Sequence, residues 1–465
     1  MERTREMLRS GAWLTRERVH LVALAILAAS FVGLLYLGIT ANGLVDRQGR
    51  PLGTDFSGFY AAGTYVLDGN PQAPFDLARQ HAREQQIFGA TTPLYGWFYP
   101  PFFLFIAGAL ALMPYGIALA VWQAVTCGLY LLAIRAILGL SLSGSQSARS
   151  ESIATERRVR APNIGLWRRW LWVAASREAR HPAGYFGPNP SAASAMTADW
   201  LLLALAFPAV LVNVGHGQNG FLTAALLGAA LVQLDCRPLV AGILFGLLAY
   251  KPQFGLMIPV VLAASGRFRV FAAAAVTVAL IAAATTIAFG TNIWPAFLAS
   301  TRVSRLIALE QGDIGWYKIQ SVFAWARMWG AGIPLAYTLQ GATDLAVGAA
   351  LVRLWRSAAP YSLKAAALCL AAILATPFAL DYDMMSLAPA IAFIAADGRA
   401  RGFGPWEKTA LAVLWFVPLI ARPIANVTHI PFGVPAMLAM FILVLRRSTL
   451  HLDLPVASSG VFLLK

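Results

Sequence analysis

The chain has 465 residues, 58% of them hydrophobic and only 12% charged, with a mean hydropathy of +0.64. A soluble domain carries about 25% charged residues, so this composition excludes a soluble protein and specifies an all-α, polytopic integral membrane protein. The net charge of +15 is consistent with nucleic-acid binding, but the basic residues cluster in linkers between apolar runs, where membrane topology accounts for them, and no nucleic-acid partner is expected.

The first long apolar run, Val19 to Ala41, exceeds the ~20 residues needed to cross a bilayer and the 7–15-residue core of a signal peptide, and reads as an uncleaved anchor. Arg3, Arg5, Arg9, Arg16 and Arg18 precede it, so the positive-inside rule puts residues 1–18 in the cytoplasm and the following loop outside. That loop, residues 42–96, carries turn signals at Arg50-Pro51-Leu52-Gly53 and Asp68-Gly69-Asn70-Pro71 and a polar helical stretch from Asp76 to Phe88. It is a structured first outer loop. Asp55 lies at its heart, among Phe56, Phe59 and Tyr60. Two readings stand: a cap on a helix from Ser57 to Leu67, with the aromatics as an interfacial belt, or a general base beside an apolar platform.

Trp97-Phe98-Tyr99-Pro100-Pro101-Phe102 marks the return into the membrane. The run from Phe98 to Met113, with two prolines, is short for a full span and is expected to be re-entrant; a second run reaches Leu140. Residues 141–197 carry eight arginines against three acids and begin with Ser141, Ser143, Ser145 and Ser147, which reads as a partly disordered cytoplasmic insert. Within it, Trp167 to Trp172 fits an amphipathic helix on an anionic leaflet.

Apolar spans then recur at 198–214, 218–234, 238–250, 253–265, 268–289, 335–352, 362–376, 384–396, 407–424 and 432–446. The whole of 19–446 is expected to form a bundle of about 12–14 transmembrane or re-entrant helices, followed by a tail, 447–465. Linkers around Arg237, Arg267, Arg353 to Lys364, Arg399 to Lys408, and Arg446-Arg447 are basic and read as cytoplasmic. The alternate linkers are then outside: Gly215 to Gly220, the Lys251-Pro252-Gln253 turn, the long loop from Gly290 to Ile319, Thr376 to Asp383, and Asn426 to Phe432. The two short spans meeting at Lys251-Pro252 fit a hairpin whose turn dips below the surface, and Ser321 to Trp329 reads as interfacial. Cys127, Cys236 and Cys369 are isolated and imply neither a disulfide framework nor a metal site.

The outer-facing polar residues form a set: Asp55; His216, Gln218 and Asn219; Lys251 and Gln253; Lys318, Gln320 and Ser321; Asp381 and Asp383. Each has a bland reading: His216 between glycines as a plain turn, Lys251 as a snorkelling anchor, Asp381 and Asp383 as helix caps. Together, an acid facing lysines and amides at one interface suits a reaction whose leaving group is a phosphate.

Asp55-Phe-Ser-Gly-Phe-Tyr, Tyr99-Pro100-Pro101, Gly217-Gln218-Asn219, Lys251-Pro252 and the Pro377-to-Asp383 stretch occur in that order, and the chain from about Gly53 to Pro389 resembles glycosyltransferase family 87, the polyprenyl-phosphate-mannose-dependent mannosyltransferases of GT-C architecture. The Arg-rich insert departs from that pattern. The resemblance implies a hexosyltransferase, with mannose the expected sugar, in the cell (inner) membrane. Its site would be extracytoplasmic, its donor a polyprenyl-phosphate sugar and its acceptor a lipid or envelope glycan. It also implies that an acid in the first outer loop, here Asp55, acts as base. No Gly-rich phosphate loop for a nucleotide sugar is present. Lys251, with His216 or Lys318, is expected to hold the departing phosphate, and Tyr60, Trp97 and Tyr99 either stack on the sugar or isoprenoid or form an aromatic belt. No cofactor or metal is required, although Asp381 and Asp383 leave an ion-bridged variant open. The competing class is a transporter or lipid-linked-glycan flippase, but the spans are almost free of charge and show no repeat.

Overall fold

The computed structural model describes residues 1–157 and 199–450. Trp167 to Trp172, most of the Arg-rich insert and the end of the C-terminal tail lie outside the described residues. Among the described residues every named element is helical, and the β-structure consists of isolated bridges such as Val45 to Pro51 and Ile319 to Leu380. The chain is thus an all-α, polytopic membrane protein. Among the described residues five helices are long and apolar enough to cross a bilayer: Arg16–Thr40, Tyr115–Gly139, Phe268–Phe289, Ile333–Arg356 and Glu407–Thr428. A bent pair, Asp199–Leu205 with Pro208–His216, and five shorter apolar helices accompany them.

Arg16–Thr40 begins at Thr15, whose hydroxyl accepts from the Arg18 backbone N–H. Its 25 residues extend about 37 Å. Only 6% of its apolar window is buried against the rest of the chain, as expected of a helix whose solvent is lipid. At the other extreme, Tyr361–Leu374 is buried all round from Ala365 to Leu374, with Cys369 at its centre, and the helices Leu387–Arg401, Gly433–Leu450 and Ile333–Arg356 pack about it. Uniform apolarity marks this central post.

The loop that follows Arg16–Thr40 is structured as expected. Asp76 caps the helix Leu77–Phe88 through the N–H groups of Ala78 and Arg79. The helix Thr54–Leu67 packs along Leu104–Ala111 so tightly that a Cβ on Gly63 would lie 2.1 Å from the Ala107 carbonyl oxygen. The apolar segment Pro101–Ala111 is only about 17 Å long at helical rise, short of the ~30 Å hydrocarbon core. It fits a re-entrant element. The next helix, Tyr115–Arg157, continues past Leu140 through the serine-rich stretch, which the sequence reading gave to a disordered insert. No proline interrupts it there.

Glycine contacts fix the direction of the hairpin. Gly242 abuts Val270 and Ala273 while Gly246 abuts Ala274 and Thr277, so Pro238–Leu247 and Phe268–Phe289 run parallel and Met257–Ala264 must run back between them. Arg267 and Asp235, 2.7 Å apart, join the two feet. Extending the register puts the Lys251 turn near the level of Ile281, roughly 10 Å short of the end of the longer helix.

Two linkers differ from expectation. Gly290 to Ile319 is largely helical, with Ile293–Ser304 followed by a π-helical stretch, Arg305–Gln311. Arg447 is no linker residue: its guanidinium is buried against Asp397, Glu407 and the Gly402 carbonyl, and clasps three helices at the end away from Lys251.

Candidate active site

Gly53 opens the Thr54–Leu67 helix in the left-handed region at φ 69°, and the structure shows no side-chain cap there. Asp55 lies inside the first turn, where the helix dipole favours its negative charge, and is therefore not the cap. Its carboxylate turns toward the Gly217-Gln218-Asn219 turn. Gln218 Nε2 donates to Asp55 Oδ2 at 2.8 Å, and Gln218 Oε1 accepts from the Tyr99 hydroxyl at 3.2 Å and from the Asn219 N–H at 3.1 Å. An amide with both ends engaged holds the acid in one orientation. Gly217 makes the approach possible, since it adopts φ 62° and a Cβ would fall 2.5 Å from that of Phe56. His216 Nδ1 lies 2.7 Å from Thr54 Oγ1 and 3.8 Å from Asp55 Oδ1. It is more than the plain turn residue.

These groups line a cavity of about 390 Å³. From the sequence-derived set, Asp55, Tyr99, His216, Gln218, Lys251, Gln253, Lys318, Asp381 and Asp383 all reach it. Three do not. Tyr60 turns away to donate to the Met113 carbonyl at 2.9 Å and packs edge-on against Tyr115. Asn219 is fully buried behind Gln218 and opens the helix Gly220–Gln233. Gln320 is spent on the Gly433 N–H, 3.1 Å away, and is also buried. Trp97 is likewise core, edge-on to Phe59 and against Tyr99 and Phe103, and Ser321 caps the helix Val322–Met328.

Charge pairing sorts the remaining ions. Lys251 Nζ lies 2.5 Å from Asp383 Oδ1, and Asp383 Oδ2 accepts the Leu380 N–H at 2.9 Å. Lys251 therefore does not snorkel, and its charge is met by Asp383, which serves as both local cap and ion partner. Asp381 Oδ2 lies 3.4 Å from Arg422 Nη1, a partner that sequence reasoning missed. The signal was an arginine inside the apolar run 407–424, since an intramembrane charge is a functional candidate by default. Lys318 is left over: its ammonium sits 5.7 Å from the Tyr317 ring centre, and among the described residues no carboxylate pairs with it. Arg422 faces the same ring at 5.9 Å.

The wall beside Asp55 comes from Leu94, Tyr95, Gly96 and Phe98, with Leu94 and Phe98 exposed at 42% and 43%. Burial pushes the Tyr95 phenol up to about 12. Behind that wall Glu84, also missed, is fully buried; desolvation pushes its carboxyl up to about 8 despite hydrogen bonds from the Tyr95 N–H and Gln80, and the nearby Asp55 charge adds to the rise. Among the described residues no three His, Cys, Asp or Glu side chains converge as metal ligands.

A carboxylate held at one side of a half-enclosed cavity, with an unpaired lysine and a partly paired arginine also lining it, can remove a proton from one group while stabilising negative charge on another. The sequence model of glycosyltransferase family 87 matches residues 97–377, which include Tyr99, His216, Gln218, Lys251 and Lys318; Asp55 precedes the match, and Asp383 and Arg422 follow it. No curated protein and no solved structure matches the chain.

Proposed function

From the premise that this chain belongs to glycosyltransferase family 87 and is a membrane glycosyltransferase, we propose that it moves a hexose, mannose by the family resemblance, from a polyprenyl-phosphate donor to a lipid or envelope glycan. In this reading Asp55 takes the proton of an acceptor hydroxyl as that oxygen bonds to the anomeric carbon. The bond from that carbon to the phosphate oxygen breaks, and its electron pair leaves with the lipid phosphate. A single displacement of this kind inverts the anomeric centre. Lys318 and Arg422 meet the growing charge on the phosphate, in place of Lys251, whose charge Asp383 already balances.

The reading is carried by one observation: Asp55, held by Gln218, and Lys318, free of any carboxylate partner among the described residues, line the same cavity. Arg3, Arg5 and Arg9 before the Arg16–Thr40 helix and Arg16 and Arg18 in its first turn favour a cytoplasmic N-terminus, an extracytoplasmic cavity and residence in the cell membrane. The GT-C architecture accords with an acid in a structured first outer loop. The test is reconstitution in nanodiscs with a polyprenyl-phosphate hexose and a membrane-lipid extract as acceptor. Transfer of the hexose with inversion supports the reading; hexose transfer from a nucleotide sugar alone overturns it.

A further inference from the structure

Glu84 lies on the Leu77–Phe88 helix of the first loop, outside the cavity, yet it joins the two walls that meet at Asp55. Its Oε2 accepts the Tyr95 N–H at 2.9 Å, and its Oε1 accepts Gln80 Nε2 at 3.1 Å; the same Gln80 amide donates to the Gly58 carbonyl at 3.0 Å. Gly58 sits in the Asp55 helix and Tyr95 in the cavity wall. They touch so closely that a Cβ on Gly58 would lie 2.4 Å from the Tyr95 carbonyl oxygen and 3.5 Å from Glu84 Oε1. Both Gln80 and Glu84 are fully buried.

We propose that Glu84 is a positioning residue for the transfer reaction, clamping the Tyr95–Gly96 wall against the helix that carries Asp55 so that an acceptor hydroxyl meets the base in line. The clamp works as a neutral acid. Only two neutral donors, the Tyr95 N–H and the Gln80 amide, reach the fully buried Glu84 carboxyl, and among the described residues no cation pairs with it, so nothing offsets the cost of burying its charge. Burial, which holds the Glu84 carboxyl up to about 8, agrees. Asp55 on the neighbouring helix opposes ionisation, and Arg83 and His81 are the titratable neighbours of Glu84 in sequence on its own helix. Arg83 is engaged by Asp68, and the His81 ring by the Thr92 carbonyl. The Asp46–Arg50 pair acts on the Tyr95 phenol. Ionised Glu84 adds a buried negative charge beside the half-buried Asp55 and loosens the wall.

The inference rests on the reading of Asp55 as base, and its test has one arm that does not need turnover. In full-length protein in nanodiscs, Glu84→Gln keeps the shape and an acceptor oxygen for the Tyr95 N–H without the titration. Against a polyprenyl-phosphate hexose, wild-type kcat/KM should fall across an alkaline limb near pH 8, and Glu84→Gln should retain activity at neutral pH while that limb moves up by a unit or more. Glu84→Ala should lose at least tenfold in kcat at neutral pH. A Glu84→Gln profile that superimposes on the wild type overturns the proposal. The second arm is the thermal midpoint. A carboxyl raised in the folded state contributes stability that is complete below its unfolded value of 4.5 and is lost as pH rises through about 8. Glu84→Gln should therefore gain in midpoint over the wild type as pH increases across that window, and a constant difference overturns the neutral clamp even if no donor is turned over. Absence of transfer by the wild type with a normal midpoint curve counts against the donor assignment alone.

Discussion

Lys251 Nζ and Asp383 Oδ1 approach to 2.5 Å with side chains only 5% and 2% exposed, so the turn of the inner hairpin is tied to the segment leading into Leu387–Arg401 by an ion pair out of reach of bulk water. Two charges so placed depend on one another, because each is compensated chiefly by its partner, with local hydrogen bonds to Asp383 and the rings of Phe254 and Tyr382 beside Lys251.

Lys251→Gln should therefore lower stability, by about 3–5 kcal/mol, the scale of stranding one member of a buried pair. The combined change Lys251→Met with Asp383→Leu should cost less than either single change. Unfolding in detergent followed by tryptophan fluorescence measures both, and single variants as stable as the wild type would remove the pair from the account.

Asp55→Asn should leave a folded, inserted protein, because an asparagine oxygen can still accept from Gln218 Nε2. Loss of the general base is expected to slow transfer by about 10²–10⁴. Near-normal turnover by the purified variant would sink the assignment of Asp55.

Lys318→Gln should reduce kcat/KM for the donor by about 1.5–3 kcal/mol, the scale of a hydrogen bond to a charged group, with no change in thermal midpoint, since Lys318 has no ion pair among the described residues to lose. Arg422→Gln should act on both quantities, because its guanidinium also meets Asp381. Equal donor kinetics in wild type and Lys318→Gln would leave the phosphate to His216 or Arg422.

A cysteine at Ser145, in a Cys236→Ser background that removes an exposed thiol, should resist impermeant thiol reagents added to intact cells. Eight arginines against three acids in residues 141–197 favour the cytoplasmic side. Strong labelling from outside would reverse the orientation of that segment and make Phe98 to Met113 a full crossing.

The fold was legible in the sequence wherever one residue property repeats along a helix. The apolarity of Val19 to Ala41, the polar stretch ending at Phe88 and the short runs flanking Lys251 specify a membrane-embedded all-α protein with a structured first loop and an inner hairpin, because span length and hydropathy are summed locally. Gly290 to Ile319 was read as loop because its charges break the apolar pattern, although they leave its helix intact.

The site divides along the same line. Sequence by itself determined which polar residues interrupt the apolar chain, and most of them do reach one cavity, since a membrane protein keeps polar groups where water or a substrate can meet them. Only the tertiary structure decided their partners. It turned Tyr60 to a backbone carbonyl, spent Lys251 on Asp383, drew Arg422 into the cavity and set Glu84 behind Tyr95. Charge compensation and orientation are properties of groups brought together from distant segments, 132 residues apart for Lys251 and Asp383 and 163 for Asp55 and Gln218, and no local pattern records them.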